Sequence, residues 1–217
     1  MSQLDLLYLE QLETEEQERQ RDVVTARKYH NGYHEVPLTD RMRTVLGIGL
    51  NAANDFIFRM NVTRSVVTAV AERLIVASFD SPNAALTQWA SDIWADNRMG
   101  YVQDEVHEGA LRDGEYFVIV DWDVENQRVR FTPHQRYSSV GVGGDGYGCM
   151  MVYPADDPNQ APKYGVKVWY EDETTPRGIL TRREHRNFYY PDRIEKYARD
   201  DRGNLTLRET VPNVDSR

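Results

Sequence analysis

One cysteine, Cys149, stands among 217 residues, so the chain has no internal disulfide framework and no cysteine-rich zinc site. Long apolar runs are missing as well, and no stretch approaches the roughly 20 residues that a membrane span requires. The opening residues, Met1 to Arg21, have neither the basic start nor the apolar block of a secretory signal. A soluble protein made in the cytosol, with no membrane partner, is expected. The tripeptides Asn61-Val62-Thr63 and Asn204-Leu205-Thr206 match the glycosylation pattern, which carries no meaning without a secretory route. Positive charge is in deficit: 26 Lys and Arg face 35 Asp and Glu, for a formal net charge of −9. That balance opposes nucleic-acid binding, which is driven by cations displacing counterions from phosphates. Contact with DNA would need a local basic patch or another part of the protein.

What is present is enough for a core. Hydrophobic residues make up 40% of the chain, with four Trp, thirteen Tyr and six Phe, which argues against disorder and allows one large domain or two small ones. The most continuous helical pattern runs from Asn61 to Val76. Val62, Val66, Ala69, Val70 and Leu74 line one face, and Val67, Ala71 and Ile75 widen it. With Asn61 as its cap and only Thr63, Arg64 and Arg73 on a polar edge, this segment is expected to be the central helix, covered on more than one side. Val70→Asp is then expected to unfold the helical half.

Helices are expected on either side of it. Residues 2–30 carry a stripe of Leu4, Leu7, Tyr8 and Leu12, a stretch from Glu13 to Asp22 that is polar all round and reads as solvated, and a resumed stripe of Val23, Val24, Ala26 and Tyr29. Gly32 stops that helix and Pro37 marks a turn. Met42, Val45, Leu46, Leu50 and Ala53 form another amphipathic pattern. Ser81-Pro82 predicts a capped start for a helix burying Leu86, Trp89, Ile93 and Trp94. Val102, Val106 and Ala110 recur every four residues in a last helix ending at Gly114.

At Glu115 the period changes from 3.6 to 2, and strands are predicted at 115–122, 127–133, 147–154, 164–172, 183–190, 193–199 and 205–211. Their connections are rich in turn residues, as hairpins require. An α+β architecture follows, with a helical half at 1–114 packed on a mainly antiparallel β half at 115–217.

Candidate chemistry is thin. Gly141, Gly143 and Gly146 satisfy a dinucleotide-like pattern, but a strand follows them where a helix N-terminus would have to meet the phosphates, so they read as a hairpin loop. His30 and His34 have the spacing of a metal pair on a helix, yet Gly32 places them in a turn and no third ligand is evident. Asp121, Asp123 and Glu125 imitate the start of a calcium loop without its glycine or closing glutamate. His107 and His185 have no partner in sequence, and no serine or cysteine sits in a nucleophile motif. No catalytic, cofactor-binding or metal residue is therefore assigned, and no cofactor or enzymatic role is expected. One charge asymmetry stands out: acids Asp5, Glu10, Glu13, Glu15, Glu16, Glu18 and Asp22 against a later run of Arg177, Arg182, Arg183, Arg186, Arg193, Lys196 and Arg199. Such separation either pairs neighbouring subunits or reflects exposed strand residues, the second being the simpler reading.

Several segments, in order, resemble one family. Lys28-Tyr29-His30-Asn31-Gly32-Tyr33-His34 followed by Pro37-Leu38-Thr39-Asp40, then Asn61-Val62 with Val66-Val67, Ala71-Glu72-Arg73-Leu74-Ile75-Val76 and Phe79, are similar to segments near the start of portal proteins, the head-to-tail connectors of long-tailed double-stranded-DNA bacteriophages. Ile93-Trp94-Ala95-Asp96-Asn97-Arg98-Met99 and the run from Val106 to Val118 resemble the family's helix-to-strand passage. The segment Tyr189-Tyr190-Pro191-Asp192-Arg193-Ile194-Glu195-Lys196-Tyr197 resembles a strand of it.

The resemblance implies a structural subunit of a ring, typically dodecameric, at one vertex of the virion capsid, assembled in the host cytoplasm. Through such a ring the genome is packaged and ejected. It implies partners as well: further copies of the chain, the major capsid or scaffolding protein, a head-completion adaptor, the terminase motor, and DNA held only within the assembled channel. The chain stops at Arg217, about where the family continues into the stem and clip, so terminase contact is expected through parts absent here. The residues present correspond to the wing, as one wing-like unit. The alternative is a shortened prophage product that binds full-length portal as an adaptor or inhibitor. An enzyme using His107 or His185 with nearby carboxylates ranks last.

Overall fold

The computed structural model describes residues 17–33, 39–47, 62–153, 161–174 and 180–213. Within them the chain is α+β, helices first and strands second. The helices are α1 (Gln17–His30), α2 (Asp40–Leu46), α3 (Val62–Ala71), α4 (Ala84–Asp96) and α5 (Met99–Asp113). The expectations placed on Leu4, Leu7, Tyr8, Leu12, Leu50, Ala53, His34, Arg177 and the Asn61 cap lie outside the described residues. No described helix is long and apolar enough to cross a membrane.

The switch from helix to strand happens where the period changes. Gly114, at φ 81°, takes the left-handed conformation that glycine adopts without steric cost, and its N–H closes α5 on the Ala110 carbonyl at 2.9 Å. The strands are β1 (Tyr116–Asp123), β2 (Arg128–Gln135), β3 (Gly148–Val152), β4 (Tyr164–Thr174), β5 (Leu180–Tyr189), β6 (Arg193–Arg199) and β7 (Leu205–Pro212). They form two antiparallel sheets where one was expected: a β1–β2 hairpin, and a meander of β3 to β7 in chain order. The loop holding Gly141, Gly143 and Gly146 is consequently no hairpin turn. It carries a short 3₁₀ helix, Val140–Val142, and joins β2 to β3 across the two sheets.

Strand alternation builds the main core. Val166 pairs with Met150 on one side and Phe188 on the other, and Val168 with Arg186, so one face collects Met150, Val152, Tyr164, Val166, Val168, Phe188 and Tyr197. Phe188 is fully buried, its ring edge-on to Tyr164 at 5.8 Å and Tyr197 at 5.2 Å. Burying one such side chain contributes about 2–3 kcal/mol.

The helical half is organised differently from its sequence pattern. The helix that touches most of its neighbours is α5, which packs on α1, α3, α4 and the hairpin. Its contact with β1 is close: a Cβ at Gly109 would overlap the ring of Tyr116. Helix α3 is peripheral, against expectation. Val62, Val66 and Val70, the stripe expected inside, are exposed, and Ala71 is its one buried residue. The stripe and the buried side lie roughly opposite each other on the wheel, and neighbours cover only the narrower, small-residue side.

Two further expectations change. Helix α4 begins two residues late: Asn83, not Ser81, is the cap, accepting the Ala85 N–H at 3.0 Å, while the Ser81 hydroxyl accepts the Asn83 N–H at 3.3 Å. Of its stripe, Ile93 and Trp94 are half-buried and Leu86 and Trp89 are exposed. In α1 the stretch expected to be solvated contains Gln20, which is 1% exposed.

Candidate functional site at the helix–sheet junction

The most densely bonded polar cluster among the described residues lies where α1, the end of α5 and the β2–β3 loop meet. Arg27 projects from α1 next to the buried Val23 and Val24. Its Nε and Nη2 donate to Asp113 Oδ2 at 3.0 and 2.7 Å. Nη2 also donates to the Arg136 carbonyl at 2.8 Å, and Nη1 to Ser138 Oγ and Asp145 Oδ2, both at 3.0 Å. A planar guanidinium with several fixed donors suits this work, because it satisfies acceptors from different elements at once.

Asp113 answers from the last turn of α5, its side chain wholly buried. Burial pushes its carboxyl up, but hydrogen bonds from Arg112 (2.7 and 2.8 Å) and Arg27 outweigh that and hold it below the usual carboxylate range. Two further ties flank the pair. Gln20 Oε1 accepts the Ser139 N–H at 3.0 Å, and His30 Nε2 lies 2.9 Å from the Glu108 carboxylate. Further along α5, Glu105 accepts the Tyr116 hydroxyl at 2.6 Å, and burial, with this bond adding to it, raises that phenol well above its usual range. Asn97 grips the edge of β2, donating to the Val129 carbonyl at 3.0 Å and accepting the Phe131 N–H at 2.8 Å.

This arrangement holds parts together. Ser138 is fully buried and its oxygen is occupied by Arg27 and the Asp145 N–H, so it has no base and no access. Sequence reasoning missed the cluster, since Arg27 and Asp113 are 86 residues apart and no spacing links them.

The residues that sequence did single out are not brought together. His30 is buried in the junction, whereas His107 lies along α5. Asp123 organises the hairpin turn, accepting the Asn126 N–H at 3.1 Å and side-chain amide at 2.8 Å, and Asp121 pairs with Arg130 at 2.7 Å. His185 does meet two carboxylates, Glu173 at 3.4 Å and Glu171 at 3.7 Å, with its ring stacked on Trp169. Both are engaged elsewhere: Glu173 with Arg183 at 2.7 Å, Glu171 with the Trp169 N–H at 2.8 Å. A small cavity of about 40 Å³ lies by Arg19, Glu115, Arg136, Tyr137, Met150, Met151 and Tyr153, not by His185. Burial pushes the Cys149 thiol up to about 12, so it is no ready nucleophile. Among the described residues no group of three His, Cys, Asp or Glu is placed to hold a metal ion.

The basic run is neither a free patch nor simply exposed. Arg186 (4% exposed) and Arg199 both donate to Glu184, at 2.6 and 3.1 Å. Arg193 pairs with Glu195 at 2.7 Å, Lys196 with Glu209 at 2.8 Å, and Arg182 lies over the Tyr170 ring at 4.7 Å. The interleaved acids are the partners of these cations. No protein-family model and no curated protein matches this chain.

Proposed function

We propose that this chain is a structural subunit of a phage portal ring, forming part of its wing, with a mechanical and assembly role and no catalysis. The observation that carries this reading is where the portal-like segments lie. The run from Val106 to Val118 is the passage from α5 to β1, and it contains Asp113, Gly114 and Tyr116, which tie the helical half to the sheets. The segment from Lys28 closes α1 beside Arg27, and Tyr189 to Tyr197 covers the β5–β6 turn, where Asn213 donates to the Tyr190 carbonyl at 2.7 Å. Segments that act as joints are those an assembly subunit needs rigid, because a wing transmits position from one copy to the next.

On this reading the chain's partners are further copies of itself in a ring, dodecameric by resemblance, and the capsid, scaffolding and head-completion proteins around it. The virion is its destination. Quantitative peptide mass spectrometry of particles induced from a host carrying the gene tests this. Peptides of this chain at about one ring per particle are expected. Absence from particles, with co-purification on full-length portal, would favour the adaptor or inhibitor reading instead.

A further inference from the structure

A sheet edge is a row of unpaired backbone donors and acceptors, and the two edges of the β1–β2 hairpin are finished differently. On β2 the groups of Val129 and Phe131 point away from β1. Asn97, just past α4, donates to the Val129 carbonyl at 3.0 Å and accepts the Phe131 N–H at 2.8 Å, as a neighbouring strand would. Pro133, the next residue of that parity, has no N–H to offer. Beyond it the chain meets β3, Arg136 bridging Cys149 and the Tyr137 N–H donating to the Cys149 carbonyl at 2.8 Å. This edge is closed along its length.

The edge of β1 is the reverse. Val118, Val120 and Trp122 stand opposite Pro133, Phe131 and Val129, so by antiparallel alternation they too turn their N–H and C=O away from the hairpin. Among the described residues no hydrogen bond reaches these groups, and Val120 and Trp122 are 62 and 49% exposed. The devices that blunt an edge are missing as well. β1 has no proline, no lysine and no bulge, whereas β7, the outer strand of the larger sheet, is bulged against Lys196 and Tyr197 and ends in Pro212. We infer that β1 takes up an extended segment of another protein as a further strand of this sheet. The edge states the chemistry of that segment. Apolar residues at every second position lie beside Val118, Val120 and Trp122, and basic residues between them fall on the face of Asp121 and Asp123. A second copy of this chain fits less well, because it brings the same two aspartates and a net charge of −9 to the contact. None of this depends on whether the chain sits in a ring.

Fluorescence anisotropy of a dye-labelled, capped peptide alternating valine and lysine, as long as β1 and titrated with the full chain, tests this. The control is the same peptide with every valine N-methylated, which keeps the charge and the apolar side chains but removes the donors that would face β1. Saturable binding of the first is expected, with the control weaker by roughly tenfold or more. Val120→Pro deletes one outward donor without touching a hairpin bond, as Pro133 does across the sheet, and should weaken binding to the same degree. Val120→Thr keeps the backbone and should bind within about threefold of wild type. Both variants are checked for a wild-type melting curve, and if Val120→Pro melts early the methylated peptide decides alone. No saturable binding, or equal binding of the two peptides, would overturn the inference. So would a dimer of the chain alone in sedimentation velocity that Val120→Pro abolishes, since the edge would then belong to a second copy.

Discussion

The five-stranded sheet keeps Val152, Val166, Val168 and Phe188 at 2% exposure or less, whereas α3, with four valines in ten residues, buries Ala71 alone. The same residue type meets opposite fates because the two architectures obtain cover differently. In a meander each strand brings its neighbours through backbone pairing, so a residue such as Val166 acquires Met150 and Phe188 with the register itself. A helix obtains cover only if another element happens to lie on it, and α3 has one such neighbour side, against α1 and α5. An apolar stripe in sequence therefore states that a face exists, not which side of the helix is inside.

The largest expected effect lies at the joint between the two regions. Asp113→Ala leaves the guanidinium of Arg27, only 11% exposed, without its main counter-charge, and breaking a buried pair from one side costs about 3–5 kcal/mol. Asp145 touches the same guanidinium but is half exposed, so Asp145→Ala should cost less than about 1 kcal/mol. Urea denaturation of both variants measures this. Equal effects would mean that the halves are not held together through Asp113.

Next comes the contrast within α3. Ala71→Asp places a carboxylate on the covered side and should cost about 2–4 kcal/mol. Val70→Asp, on the open stripe, should stay within about 0.5 kcal/mol of wild type in the isolated chain, the reverse of what the apolar pattern suggests. Thermal melting of the two single variants separates the sides. A collapse of Val70→Asp would put the stripe back in the core.

The extent to which the fold is legible in sequence follows the same division. All seven strands are placed within a few residues, because alternation and turn residues are local signals, and Gly114 marks the change of period by its need for positive φ. Turn residues could not tell the β2–β3 crossing from a hairpin, since both need glycine. Gly109 gave no sign of its role: that it must be small is evident only once Tyr116 lies against it. Arg27 and Asp113 were equally silent, for a long-range pair leaves no spacing to read. The interleaving of Glu184 and Glu195 among the arginines was visible, and strand alternation, which sets residues i and i+2 on one face, pairs them with Arg186 and Arg193.

A smaller effect concerns the contact region of the two sheets. Burial, with the Lys167 charge adding to it, lowers the pKa of His134 from 6.5 to about 4. Folding therefore excludes a proton that the unfolded chain binds between those values. The contribution is fully present above pH 6.5 and is lost as pH falls from there to about 4. In His134→Gln that part of the pH dependence should vanish, leaving the loss near and below pH 4 from carboxyls held below their usual range, Asp113 and Glu184 among them. Denaturation midpoints from pH 7 to 4 compare the two proteins, and parallel curves would show that His134 is hydrated in the fold.

The smallest expected effect is none at all, and it turns on how each region treats its cations. A duplex is bound through phosphates by several cations acting together, with about one power of salt concentration lost per phosphate neutralised. The sheet holds most of the chain's clustered arginines, yet Arg183, Arg186, Arg193 and Arg199 are each bonded to a carboxylate. Turning Arg186 toward a phosphate would abandon Glu184, which is itself largely buried, and such a carboxylate stripped of its partner is costly. Among the described residues Arg182 stacks on Tyr170 with no carboxylate bonded to it, but one cation gives no groove. In the helical half Arg27 and Arg112 are likewise bonded to a carboxylate, that of Asp113. With the net charge of −9 added, the isolated chain should show no appreciable binding to a labelled duplex in fluorescence anisotropy at physiological salt. A complex whose affinity falls steeply between 50 and 200 mM salt, by the roughly thousandfold or more that six phosphate contacts imply, would mean that these ion pairs open for DNA.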